Sequence, residues 1–268
     1  MLKALRQPIR EFESFHEATK LTRINAIAFS QRVISYMSTP RLVLETLRNK
    51  KAFRNSEVQT LPAPESDKKQ FHKIMTRRAT QRRFLPTPLS LADISNLLEP
   101  ALGVQRRANS TAHPKESLGF RPYPSGGGLY PIEFYILAKR VEGHAPFVAH
   151  YSPSNNSLTM LHRDLSPEAL DEPFIYTDAQ QKNNAMVLVM TSLTERSATK
   201  YGDRGYRLAL IEAGHAAQNI CLNAEAMNLG TAAWAGFYDE DIEKLIGIDG
   251  VNESVVHTLL IGHRNIST

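Results

Sequence analysis

The chain of 268 residues contains one cysteine, Cys221, and one tryptophan, Trp234. A lone thiol excludes an internal disulfide framework. No run of about 18 uncharged apolar residues occurs, so no helical membrane span is expected. The opening stretch MLKALRQPIREFESF is basic but has neither an apolar segment nor a small-residue cleavage site. It therefore does not read as a signal peptide, and the cytoplasm is the expected location. The nine histidines form no His-x-x-x-His pair with acidic support, and there is no cysteine cluster. No metal site is expected on those grounds. Zinc-finger spacing, RNP-like aromatic patterns and arginine-rich runs are also missing, which leaves nucleic acid without a recognisable binding motif.

What is present begins with charge. The net charge is +5, yet residues 1–54 alone carry eleven Lys and Arg against four Glu, so the remainder is close to neutral. A basic front end suits an acidic partner or a plain solvated surface. Residues 1–75 read as a helical extension and residues 76–268 as the main domain. REFESFHEATKLTRINAIAFSQRV predicts one helix or two short ones, and Pro40 fits the first position of the next. NSEVQTLPAPESD looks like a connector, and DKKQFHKIMTRR like a short helix.

In the main domain, Ser90 and Asp93 form a variant capping box ahead of an apolar stripe, Leu91, Ile94, Leu97 and Leu98. Pro100 is expected to end or kink that helix. QRRANSTAHPKESLG reads as a polar surface loop. Strands are predicted from Ile132, over a hairpin turning at Asn155-Asn156, over Ala185–Ser192, and from Val255. A long helix follows GDRGYR and is apolar or small on most of its surface, which predicts burial in a core or an oligomer interface. Gly230 fits its C-terminal cap, and Asp239 fits the cap of DEDIEKLIGI. The pattern is a mixed α+β layer fold with a long central helix.

Four stretches could carry chemistry. TRRATQRRF sets Arg77, Arg78, Arg82 and Arg83 around Thr80, and guanidinium forks with a hydroxyl suit phosphate oxygens. A charged surface turn would read the same way. PSGGGLYP, Pro124–Pro131, is no P-loop, nucleophile elbow or dinucleotide fingerprint, but its backbone could approach a flat cofactor or a phosphate closely. An ordinary glycine turn is the plain alternative. TKYGDRGYR places Lys200 and Tyr201 beside Arg204 and Arg207 at the expected start of the long helix. Burial and positive neighbours there would favour a neutral amine able to act as a base; solvated charges at a helix end are the plain alternative. GTAAWAGFYD surrounds Trp234 with small residues, as a ligand-facing loop or a core tryptophan would.

Taken in this order, the four stretches resemble the flavin-dependent azoline oxidases of ribosomal peptide pathways. These are the SagB/McbC-type dehydrogenases of the nitroreductase-like superfamily. The likeness covers roughly residues 75–265, and FHEATKL at Phe15–Leu21 resembles the start of this group. It implies a nitroreductase-like α+β fold, a central and mostly antiparallel sheet wrapped by helices. It also implies a homodimer around the long helices, with FMN at the interface. The family's Arg-x-Ser-x-Arg phosphate motif falls on Arg78, Thr80 and Arg82, with threonine for serine. Its Pro-Ser-Gly-Gly motif falls on Ser125, Gly126 and Gly127 after Pro124, and its later flavin-contacting loop on Trp234, Ala235 and Gly236. Arg264 is the remaining phosphate contact implied. The catalytic Lys-Tyr pair falls on Lys200 and Tyr201. The implied reaction is oxidation of thiazolines or oxazolines installed by partner cyclodehydratase subunits on a precursor peptide. Lys200 would remove a ring proton and FMN would take a hydride, with oxygen restoring the flavin. A nicotinamide-dependent nitroreductase and a catalytically silent flavin-binding scaffold subunit are the rival readings.

Overall fold

The computed structural model describes residues 10–48, 59, 70–109 and 117–265. The front of the chain forms two helices, α1 (Glu11–Thr19) and α2 (Ala26–Met37). They are separated by a turn in which Thr22 and Asn25 accept each other's backbone N–H through their side chains. Helix α3 (Pro40–Arg48) starts on Pro40, and α4 (Gln70–Arg77) leads into the main body. The expected connector lies outside the described residues except for Gln59.

Helix α5 (Leu91–Leu102) opens on the expected capping box: Asp93 N–H donates to Ser90 Oγ at 3.0 Å, and Ser90 N–H donates to Asp93 Oδ2 at 2.9 Å. Ser90→Ala is therefore expected to cost about 1 kcal/mol. Calorimetry should register it as a fall of about 2–4 °C in melting temperature. Ile94, Leu97 and Leu98 are buried, but Leu91 is 46% exposed and falls outside the stripe. Pro100 does not end the helix, which continues to Leu102. Proline lacks the N–H that would bond the carbonyl four residues back. Asn223 of the long helix replaces it, donating through Nδ2 to Asn96 O at 2.8 Å and Leu97 O at 2.9 Å. Nor is the polar segment after α5 wholly a loop. β1 (Arg106–Asn109) pairs antiparallel with β2 (Ser117–Phe120), while 110–116 lie outside the described residues.

The central sheet contains β3 (Ile132–Ala138), β4 (Phe147–Ser152), β5 (Ser157–His162), β6 (Met186–Ser192), β7 (Leu229–Trp234) and β8 (Ser254–His263). Its order is β5-β4-β3-β6-β8-β7, and every pair of neighbours is antiparallel. Asn156 adopts positive φ in the β4–β5 turn, where the hairpin was expected. Alternation along the strands sends Phe134, Ile136, Leu188 and Met190 to one face, against α5 and the long helix. Leu137, Val187 and Val189 go to the other face. Both faces are covered, so β6 is buried throughout. That explains its unbroken apolar sequence.

Four more α-helices lie in the described main body, beginning with α6 (Pro167–Asp171), α7 (Glu195–Tyr201) and the long α8 (Arg204–Ala226). Helix α8 ends before Asn228, which takes the left-handed conformation at φ 58°, while Gly230 lies inside β7. The short polar asparagine tolerates that conformation, and so fills the role expected of the glycine. In α9 (Asp239–Ile246) Tyr238 is the cap, and Asp239 is the first helical residue. Asp239 Oδ2 instead accepts the N–H of Leu21 at 2.9 Å. No helix among the described residues is long and apolar enough to cross a membrane.

Candidate functional site

The glycine triplet forms a 3-10 turn over Gly126–Gly128, with Gly127 and Gly128 at φ 67° and 68°. L side chains rarely adopt such backbone. The turn is tied at its base, where Tyr130 N–H donates to Ser125 Oγ at 2.9 Å. A Cβ on Gly127 would lie 2.6 Å from Tyr201 Oη and 2.8 Å from Lys200 Nζ. The tips of the expected catalytic pair thus converge on the middle glycine. The space freed by its missing side chain holds the amine and the phenol.

Lys200 and Tyr201 do not begin the long helix. They occupy the last turn of α7, which stops at Gly202 (φ 59°) before α8 begins. Helix α7 buries Ser197 and Ala198. That leaves Lys200 on the outer side and exposed, the solvated alternative of the two readings its sequence allowed. Its Nζ lies 5.2 Å from the centre of the Tyr201 ring.

The arginine segment runs beside the sheet edge. Thr80 bridges Thr231 of β7 in parallel, and Gln81 N–H donates to Thr231 O at 2.9 Å. Two of the four arginines are engaged: Arg77 with Glu225 at 3.2 Å and Arg83 with Asp178 at 3.5 Å. Arg78 and Arg82 make no ion pair among the described residues. They flank the exposed Thr80, so two free guanidinium groups and a hydroxyl are available to an anion such as a phosphate. Arg264 is different. Its Nη2 meets Glu225 Oε2 at 2.6 Å and its Nε donates to Leu229 O at 2.9 Å. The carboxylate of Glu225, itself buried, pairs with both Arg264 and the exposed Arg77.

Trp234 closes β7, and the expected loop therefore begins as a strand. Trp234 Nε1 donates to Gly236 O at 3.1 Å, and Ile175 N–H donates to the same carbonyl at 2.7 Å. Ala235 is exposed and lines a cavity with Tyr206 and Leu210 of α8. Leu208 of α8 packs instead on Gly126. Residues two apart on a helix point to nearly opposite sides. The chain therefore joins Ser125, Gly126 and Gly127 to Lys200 and Tyr201, but places Ala235 across α8 from them.

Two groups of residues escaped the sequence reading. Glu212, one turn after Leu208, is a buried acid near Ser125. An acid among the small and apolar residues of IEAGHAA was the available signal. Within FHEATKL, His16 Nδ1 lies 3.0 Å from Tyr206 Oη, and Lys20, only 7% exposed, reaches Glu243 at 3.2 Å and Gly250 O at 3.0 Å. These residues fasten α1 to the main body. Part of the basic front end is likewise spent internally, in Arg10–Glu195 and Arg23–Asp241 pairs.

A sequence profile of the nitroreductase family matches residues 74–263. The chain belongs to the nitroreductase family. Within it, the chain is homologous to the microcin B17-processing protein McbC of Escherichia coli, at 32% identity over 183 residues. That match spans 63% of this chain and 63% of McbC. "Putative nitroreductase MJ1384" of Methanocaldococcus jannaschii is 29% identical over 197 residues, covering 72% of this chain and 91% of that protein. Among solved structures, a chain of the E. coli microcin synthetase McbBCD complex with truncated pro-MccB17 bound superposes with a TM-score of 0.63. It is 22% identical and covers 97% of this chain and 99% of that one, a likeness of fold. The nitroreductase-like α+β architecture expected from the sequence is thus the fold of this chain.

Proposed function

We propose that this nitroreductase-family protein is an FMN-dependent azoline oxidase, which converts peptide-embedded thiazolines or oxazolines to thiazoles or oxazoles. The observation that carries the reading is the convergence of Lys200 Nζ and Tyr201 Oη on Gly127. Homology to a microcin-processing protein directs the substrate class toward a ribosomally made peptide. The free Arg78 and Arg82 with Thr80 suit the FMN phosphate. Ser125, Gly126 and Gly127 offer backbone that a flat ring can approach, and Trp234, Ala235 and Gly236 form the second wall. Arg264, held by Glu225 and the Leu229 carbonyl, supports the phosphate side.

Bound flavin supplies the acceptor for a hydride leaving the azoline ring. The chain itself handles the proton. The Lys200 amine, in its neutral form, takes the ring proton, and the Tyr201 hydroxyl beside it orients the amine or the ring. One proton and one hydride leave, which balances azoline to azole. The glycine turn and Ala235 lie on opposite sides of α8, so a homodimer packed along α8 would let one copy's turn face the other copy's wall. Cyclodehydratase subunits and the precursor peptide are the proposed partners, and the cytoplasm the proposed setting.

The direct test is to incubate the purified protein with a synthetic thiazoline peptide and oxygen, following flavin absorbance and peptide mass. Loss of two hydrogens from the peptide, with flavin bands in the protein, is the expected result. A protein that takes up no FMN on reconstitution overturns the reading. One that binds flavin but only reduces nitro compounds with a nicotinamide favours the general nitroreductase.

A further inference from the structure

Glu212 is 1% exposed, on the side of α8 that meets the glycine turn, and its Oε1 has no hydrogen-bond partner. Leu208, four residues earlier on the same face, touches Gly126. The Ser125 hydroxyl lies beside the carboxyl, as does the Ile132 amide, with Arg121 and Arg196 as the nearby positive charges. The Tyr123 phenol feels the charge of Glu212, and Arg121 stands over the Tyr130 ring at 4.8 Å. Ser125 already accepts the N–H of Tyr130, so its own hydroxyl proton remains to be given, and Glu212 is the acid next to it.

We propose that Glu212 is a positioning residue: through Ser125 it holds the glycine turn against which Lys200 and Tyr201 rest. It touches no reacting atom in this account. Its consequence for catalysis rests on the function proposed above, whereas the positioning itself does not.

Burial pushes the Glu212 carboxyl up to about 7, against the stabilising pull of Ser125, Arg121, Ile132 and Arg196. The sign follows from linkage. Between the ordinary carboxylate range and about 7, the closed state holds a proton that an opened, hydrated Glu212 releases. Opening therefore becomes easier as pH rises through that window and levels off above it.

The test is hydrogen exchange of the Tyr130 amide, corrected for intrinsic rates, with the β6 amides as reference. It needs neither flavin nor substrate, so its failure is separable from failure of the proposed activity. In the wild type, Tyr130 protection is expected to fall about ten-fold or more from about pH 5 to about pH 7, while β6 changes less. Glu212→Gln, which keeps the shape and cannot ionise, should show no such fall. Glu212→Leu should lose Tyr130 protection at every pH. Superposable wild-type and Gln profiles would overturn the proposal, as would an equal fall in β6, which would make Glu212 a determinant of the whole fold. If the Leu variant fails to fold, the wild-type and Gln comparison decides alone.

Discussion

Replacing Lys200 by alanine is expected to lower azoline oxidation by about 10²- to 10⁴-fold, the usual contribution of a positioned general base. Fold and flavin content should not change. Lys200 is exposed on the last turn of α7 and makes no ion pair among the described residues. Surface truncations of that kind shift stability by about 0.5 kcal/mol or less. The measurement is single-turnover bleaching of the flavin by a thiazoline peptide, beside a melting curve of each protein. A Lys200→Ala protein that bleaches at the wild-type rate removes the amine from the mechanism, even if the flavin assignment stands.

Gly127→Ala is expected to be almost as damaging to activity, by a different route. Its φ of 67° costs an L side chain about 1–2 kcal/mol, which an otherwise intact domain absorbs. The new methyl would sit 2.6 Å from Tyr201 Oη and 2.8 Å from Lys200 Nζ. Both are ends of flexible side chains and will swing aside with little effect on folding. They are also the two atoms proposed to act on the substrate. Turnover should therefore fall about 10²-fold or more, with a modest loss of melting temperature. A variant that loses stability but keeps its turnover would show that the pair works from another position.

The sequence exposed this fold unevenly, for physical reasons. Strands β3, β6 and β8 were legible because burial on both faces demands runs of Ile, Leu, Val and Met. The α5 capping box was legible because its hydrogen bonds are local. The helix runs on past Pro100 because the repair comes from Asn223, 123 positions away in the chain. Gly230 misled because Asn228 could take the same backbone conformation two residues earlier. At the site, residue types and order pointed to Lys200, Tyr201 and the glycines. Their contact was not legible, because it depends on where α7 breaks from α8. Glu212 was hidden by its helix, where one acid among small residues looks like any other surface charge.

One feature of the sheet bears on how the protein is made. β8 is the last strand of the sheet in chain order, yet it lies inside it, between β6 and β7. Backbone of residues 83–85 also bonds to residues 263–265, through Leu85 N–H to His263 O at 2.9 Å and Asn265 N–H to Arg83 O at 3.2 Å. Until the ribosome has released His263, β6 and β7 each have an unpaired edge, and residues 83–85 lack their bonds to residues 263–265. Such edges are open to pairing with other nascent chains. Synthesis must therefore carry an incomplete, adhesive sheet until β8 has emerged. Truncation anywhere before β8 should yield aggregate rather than a smaller folded protein.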